Sequence, residues 1–277
     1  MNRNGTLKYH INEQHFAFNI WDFESARVVI DAAALVGQNV ILQTSVSVFR
    51  QLSAKVFSDF VKEYSRMVGV DAWLNIDHCR DKDMLFLAID SGWDMVMADG
   101  SSLPVVENIS FVEEIIAYAH PRDVLVEAEV GQVKGIEDDI IVQQDAIASK
   151  DDIALFLNSS DIDFIAVAFG NAHGEYKVKP DLHYNLVEYT TSITDKPFVV
   201  HGGSGLSNEV LRKLISIPGV GKVNISTDLK QAYYDGIRKV NSQCGREGFQ
   251  PMDANRVIAD SITNMAISKM RLLKGSF

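Results

Sequence analysis

Cysteine and proline are scarce, with two and six residues respectively in a chain of 277. Cys79 and Cys244 stand far apart, which excludes a disulfide-stapled scaffold and fits free thiols in a reducing compartment. Basic residues are outnumbered 26 to 37 by acidic ones, for a net charge of -11. That balance leaves little material for the concentrated basic surface that nucleic acid demands. No apolar run reaches the roughly 20 residues that a helix needs to cross a bilayer. The opening "MNRNGTLKYHINEQHF" lacks the basic start and apolar core of a signal peptide. The expectation is a soluble cytoplasmic protein with a small-molecule partner, no nucleic acid and no membrane. Glycine is also missing from "AFNIWDFES", where a dinucleotide-binding sheet would carry its Gly-rich turn.

What the chain does have is apolar residues, 47% of the total, enough for one large core. They fall into eight short runs, many β-branched: "FAFNI" (16–20), "VILQT" (40–44), "AWLNID" (72–77), "MVMAD" (95–99), "VLVEAEV" (124–130), "FIAVAFG" (164–170), "FVVHG" (198–202) and "KVNIST" (222–227). Runs that do not alternate with polar residues describe parallel strands buried on both faces. Amphipathic segments lie between them. In "VFRQLSAKVFSDFVKEYSRMVG" the residues Phe49, Leu52, Val56 and Phe60 fall on one helical face. Eight strands alternating with helices over about 250 residues predict a closed (β/α)8 TIM barrel, here a single domain over 1–277. After the fifth strand, "GQVKGIEDDIIVQQDAIASKDD" runs without a clear helix. A connection longer than about 12 to 15 residues is often functional, so this one is a candidate lid.

Barrel active sites lie at the carboxyl ends of the strands. The residues at those ends are Asn19, Gln43, Ser45, Asp77, His78, Asp99, Ser101, Glu129, His173, His201, Asn224 and Ser226. A barrel needs no such polar set for stability. His78, His173 and His201 follow the third, sixth and seventh strands, and three imidazoles with an open fourth position are the donor set of catalytic zinc. His10, His15, His120 and His183 sit at the terminus or in helical segments and have no chemical role assigned. "HGGSG" and "NISTD" close the seventh and eighth strands, each ahead of a helix. Glycine amides and a helix amino terminus cradle phosphate there, although a tight turn with a Ser or Thr cap would read the same way.

The motifs "NIDHC", "VMADGSSLPVVENI", "VEAEVGQVKGIEDD", "VAFGNAHGEYKVKPDL", "VHGGSGLSNEVLRKLI" and "KVNISTDLKQAY" resemble, in order, those of the class II zinc-dependent ketose-bisphosphate aldolases, the fructose- and tagatose-bisphosphate group. The likeness runs over nearly the whole chain. It implies reversible aldol cleavage of a ketose 1-phosphate or ketose 1,6-bisphosphate to dihydroxyacetone phosphate and an aldehyde. His78, His173 and His201 match zinc ligands, and Glu129 matches a carboxylate beside the metal or alternately on it. Asp77 matches the acid/base next to the first ligand, and Glu137 the mobile glutamate that handles the carbon-bound proton. Gly174, Gly202, Gly203, Ser204, Asn224, Ser226 and Thr227 match phosphate- and triose-binding positions. Asn19, Gln43, Ser45 and Asp228 join the substrate-facing set. The resemblance also brings a monovalent cation, Na or K, near these loops, and a homodimer or homotetramer is expected.

The chain departs from the pattern in places. Asn75 stands where the family often has His, and Ser102 where it often has His after "GS". "QTSVSVFRQ" lacks the glycines of many relatives and carries Arg50, which either begins the surface of the next helix or meets an anionic end of the aldehyde, such as a phosphate or sulfonate. The helix usually preceding the first strand looks shortened. Among rivals, a zinc hydrolase barrel would carry an H-x-H pair where "FNIWD" stands. A Schiff-base aldolase needs a lysine near a strand end, and Lys222 begins its run. A non-catalytic accessory or sugar-phosphate-binding subunit would be expected to lack a ligand or Asp77, and all are present.

Overall fold

The computed structural model describes residues 7–137, 140–142, 146–174, 180–243 and 250–273, with backbone alone at 9, 134, 136, 137 and 140–142. Cys244 lies outside the described residues, and Cys79 is a buried free thiol. Eight parallel strands close into a barrel: β1 (His15–Asn19), β2 (Val40–Thr44), β3 (Ala72–Cys79), β4 (Met95–Ala98), β5 (Leu125–Val130), β8 (Phe164–Val167), β10 (Phe198–Val200) and β11 (Val220–Ile225). Three further strands, β6 (Lys134–Glu137), β7 (Ile140–Val142) and β9 (Ala172–His173), form a small sheet of their own. Each apolar run read from the sequence holds one barrel strand. Closure is made by β1, which pairs with β2 on one side and β11 on the other.

The reason for continuous apolar runs is visible in the two sides of each strand. Ala17, Ile41, Trp73, Met95, Leu125, Phe164, Ala166 and Val199 form an inner cluster that fills the lumen. Their neighbours Phe16, Phe18, Leu42, Leu74, Ile76, Val96 and Val126 belong to the larger cluster beneath the helices. Ahead of β1, the described residues begin with a 3-10 turn over Leu7–Tyr9, and buried Leu7 joins the inner cluster.

Three readings are corrected. The amphipathic stretch after β2 is two helices, α2 (Val46–Gln51) and α3 (Ala54–Val68), because Leu52 and Ser53 are extended between them. The break resets the helical phase, so α3 buries Phe57 and Val61 while Val56 is exposed. The long connection after β5 is no bare loop: β6 and β7 make an antiparallel ribbon, and β6 pairs in parallel with β9. Lys222 lies inside its strand, third in β11, and is wholly buried. Among the described residues, no helix is long and apolar enough to cross a membrane.

The remaining helices are α1 (Phe23–Val36), α4 (Lys82–Asp90), α5 (Val105–Ala119), α6 (Lys150–Ser159), α7 (Tyr184–Ile193), α8 (Asn208–Ile215), α9 (Thr227–Gln243) and α10 (Pro251–Met270). They return each strand to the amino end, so all carboxyl ends open at one mouth. The phase of α3 is directly testable. Phe57 packs edge-on against Phe23 at 5.1 Å, and truncating a buried Phe to Ala costs about 3–5 kcal/mol. Phe57→Ala should lose that much in chemical denaturation, whereas Val56→Ala should stay within about 0.5 kcal/mol of the parent. The reverse order would restore the single-helix reading.

Candidate active site

The pair at the end of β3 is arranged by an unusual backbone. Successive residues of a regular strand point to opposite faces, which would send Asp77 and His78 apart. His78 instead adopts φ 49°, in the left-handed region that non-glycine residues rarely enter, and the register of β3 against β4 shifts between Ile76 and Cys79. Both side chains are thereby buried at the mouth. Strained backbone of this kind clusters at functional sites.

His78 meets the other two imidazoles edge to face. Its ring centroid is 5.0 Å from that of His173 and 4.7 Å from that of His201, with interplanar angles of 85° and 82°. Ligand atoms of His78, Glu129, His173 and His201 all lie within 4.8 Å of one another. His201 Nδ1 and Glu129 Oε2 are 3.2 Å apart but are not aligned as a hydrogen bond.

Two of the imidazoles, those of His78 and His201, are oriented from behind. Asp99 Oδ2 lies 3.3 Å from His78 Nδ1 and accepts from Arg80 Nε and Nη2, while Ser101 donates to Oδ1 through its amide and hydroxyl. Glu127 Oε1 lies 2.8 Å from His201 Nε2, and Lys222 Nζ donates to Glu127 Oε2 at 2.6 Å. Asn171 fixes the same strand end through its amide, which donates to the His201 carbonyl at 2.9 Å. Asp77 is held by two amides: Asn19 Nδ2 donates to its Oδ2 at 3.0 Å and Gln43 Nε2 at 2.9 Å.

Charge in this pocket is lopsided. Burial alone would lower the imidazole pKa values, but the carboxylates win. His78 beside Asp77 and Asp99 is raised well above its usual value, and His201 bonded to Glu127 is raised to about 9. Burial opposes ionisation of the acids too, yet Lys222 and His201 draw Glu127 down to about 2, and His78 with Arg80 holds Asp99 well below the usual carboxylate range. A pocket that pulls protons onto its own imidazoles is short of positive charge. A divalent metal meets that demand and takes the imidazoles neutral, so the donor set fits such an ion.

The second half of the mouth is the pair of loops after β10 and β11. Gly202 has φ 66°, and a Cβ on Gly203 would sit 2.7 Å from the Asn224 carbonyl oxygen, so only glycine fits. Ser204 Oγ accepts from the amides of Ser226 and Asp228, and Asp228 Oδ1 accepts from the Gly205 amide. These bonds lock the two loops together at the amino terminus of α9. Among the described residues, neither side-chain amide atom of buried Asn224 has a hydrogen-bond partner. An orphaned buried amide of this kind costs about 1–3 kcal/mol.

Comparison with known proteins settles the lineage. The family model "Fructose-bisphosphate aldolase class-II" matches residues 10–276. The chain belongs to the class II fructose-bisphosphate aldolase family. A sulfofructosephosphate aldolase from Alkalicoccus urumqiensis is 31% identical over 225 residues, covering 80% of this chain and 78% of that protein. The YdjI aldolase of Escherichia coli K12 superposes with a TM-score of 0.81 at 27% identity, covering 97% of this chain and 93% of that one. A fructose-bisphosphate aldolase from Campylobacter jejuni shares the fold, with a TM-score of 0.77 at 24% identity and coverage of 95% and 91%.

The aldolase is therefore a carbon–carbon lyase on a (β/α)8 barrel, and most of its expected site residues meet at one mouth. Ser45 caps α2, its Oγ accepting from the Val48 amide at 3.4 Å. Arg50 lies exposed in the last turn of α2. Gly174 follows His173 with φ 86°, and Thr227 opens α9. Asp228 is engaged by Gly205 and by Lys269 Nζ of α10 at 2.6 Å, a protein-internal pairing in place of a substrate-facing one. The Glu137 side chain lies outside the described residues, although its backbone ends β6. Sequence reasoning missed Glu127, Lys222, Arg80 and Lys269. "VEAEV" does carry a signal, since a second acid two residues before Glu129 shares its strand face.

The ribbon reaches the histidine cluster through backbone. Gly135 pairs with His173, has φ 120°, and a Cβ there would lie 2.2 Å from the His173 carbonyl oxygen. Gly135→Ala should therefore part β6 from β9, raising amide exchange at Ala172 and His173 at least tenfold while strand pairing elsewhere in the barrel keeps its protection. Unchanged exchange at those two positions would show that the pairing tolerates a side chain.

Proposed function

We propose that the chain is a zinc-dependent aldolase that reversibly cleaves a ketose 1-phosphate or ketose 1,6-bisphosphate to dihydroxyacetone phosphate and an aldehyde. The observation that carries this reading is the cluster of His78, His173, His201 and Glu129 with the Asp77 carboxylate immediately beside it. When bound, zinc supplies a Lewis acid that stabilises negative charge on the substrate oxygens as the carbon–carbon bond breaks.

The remaining work falls to the chain's own groups. Asp77, pinned by Asn19 and Gln43, takes the proton of the hydroxyl that becomes the aldehyde. Glu137 protonates the enediolate carbon. Its strand is tied to β9, which brings the ribbon to the same mouth as His173. Asn224, whose amide has no partner among the described residues, and the glycine loop at the start of α9 receive the triose phosphate. Synthesis runs these steps backwards.

The aldehyde half is read as anionic, with a phosphate or sulfonate at its far end. Two guanidiniums support this: Arg50 of α2, and Arg80, which reaches Asp99 beside His78. A relative named for a sulfofructose phosphate, 31% identical, points the same way. Arg50→Ala should raise KM severalfold for an acceptor bearing a terminal phosphate or sulfonate and leave hydrogen exchange on dihydroxyacetone phosphate unchanged. Equal effects on both, or none, would return Arg50 to the helix surface.

Chelation supplies the central test. Dialysis against EDTA should abolish turnover, and about one equivalent of zinc or cobalt should restore it. Full activity after rigorous chelation would overturn the metal reading. Asp77→Asn should cut kcat in both directions about 100-fold or more, in the range of a positioned acid/base. Glu137→Gln should instead slow exchange of deuterium into dihydroxyacetone phosphate without any aldehyde present. Exchange at the parent rate would remove Glu137 from that role.

A further inference from the structure

Lys222 is wholly buried inside the barrel, paired in register with His15 on one side and Val199 on the other. It contacts Glu127, likewise wholly buried, which stands on β5. The barrel order places β10 and β8 between β11 and β5, so this ion pair spans the lumen instead of joining neighbouring strands. The lumen around it is otherwise apolar: Phe164, in register with Glu127, belongs with Ala17, Ile41 and Trp73 to the inner cluster. A lysine here is a poor stability device, because hydrophobic residues of similar volume commonly replace buried ion pairs without loss. Its place demands another explanation.

The geometry supplies one. The two oxygens of Glu127 are divided: Oε2 accepts from Lys222 at 2.6 Å, and Oε1 lies 2.8 Å from His201 Nε2. With Oε1 accepting the Nε2 proton, His201 is left with its Nδ1 lone pair, and Nδ1 is the atom that faces Glu129 in the four-residue cluster. We infer that Lys222 is a positioning residue for the metal site: it clamps Glu127 across the lumen so that His201 is presented through Nδ1 in one tautomer and one orientation. The inference rests on the metal reading above and deepens it. A lysine that touches neither metal nor substrate sets how tightly the metal is held.

Partners behind ligating imidazoles are worth about 10- to 100-fold in metal affinity. The test is zinc affinity of the metal-free protein, measured by competition with a chromophoric chelator for the parent, Lys222→Met and Lys222→Met/Glu127→Gln. The double variant removes both charges, keeps an oxygen to accept from His201, and folds even if an unpaired buried Glu127 prevents the single variant from doing so. Expected is a loss of about 10-fold or more in zinc affinity for each variant that folds, with the double variant melting at or above the parent temperature. At saturating zinc, kcat should recover substantially with KM unchanged. Zinc bound as tightly by the double variant as by the parent would overturn the role of Lys222 and leave a purely structural pair. A parent that takes up no zinc would overturn the metal reading as well, a distinct result.

Discussion

Three imidazoles and four carboxylates are buried together at the end of an apolar barrel, and the rest of the mouth is organised around that crowding. Charges taken from water must find partners at once, or the fold fails. Each acid accordingly has a named donor: amides for Asp77, a guanidinium and a seryl group for Asp99, an ammonium for Glu127, and for Glu129 the Val133 amide at 3.5 Å. Asn19, Gln43 and Lys222 reach these acids from strands distant in sequence.

The barrel itself was legible. Eight continuous apolar runs locate all eight strands to within two or three residues, because a strand buried on both faces has no polar residues with which to alternate. The clustering of His78, His173 and His201 was legible for a related reason: polar residues at the ends of such runs have only one place to go. Legibility failed where the backbone departs from a regular period. Nothing in "QLSAK" announces the extended Leu52 and Ser53 that split α2 from α3, and a two-residue phase slip turned Val56 outward. The ribbon of β6 and β7 reads as a loop in the sequence because its pairing partner β9 is only two residues long and lies some thirty residues on.

The supporting residues were hidden for another reason. Glu127 and Lys222 lie inside runs that otherwise read as apolar strand, and only the barrel order shows that they face each other across the lumen. Asp228 is the converse. It sits in a phosphate-cradle motif, yet its carboxylate is spent on Gly205 and Lys269, so it shapes the loop instead of offering itself to an anion that it would repel.

The contact between Asp228 and Lys269 ties the mouth to the last helix. Lys269 stands near the end of α10, and the loop it steadies through Asp228 is already complete in sequence some forty residues earlier. During synthesis from the amino terminus, every barrel strand emerges before this lysine does. A nascent chain can close its barrel while the cradle still lacks its far tether. The emergence of α10, and not the closing of the sheet, is then the moment at which the loop around Asp228 gains that tether.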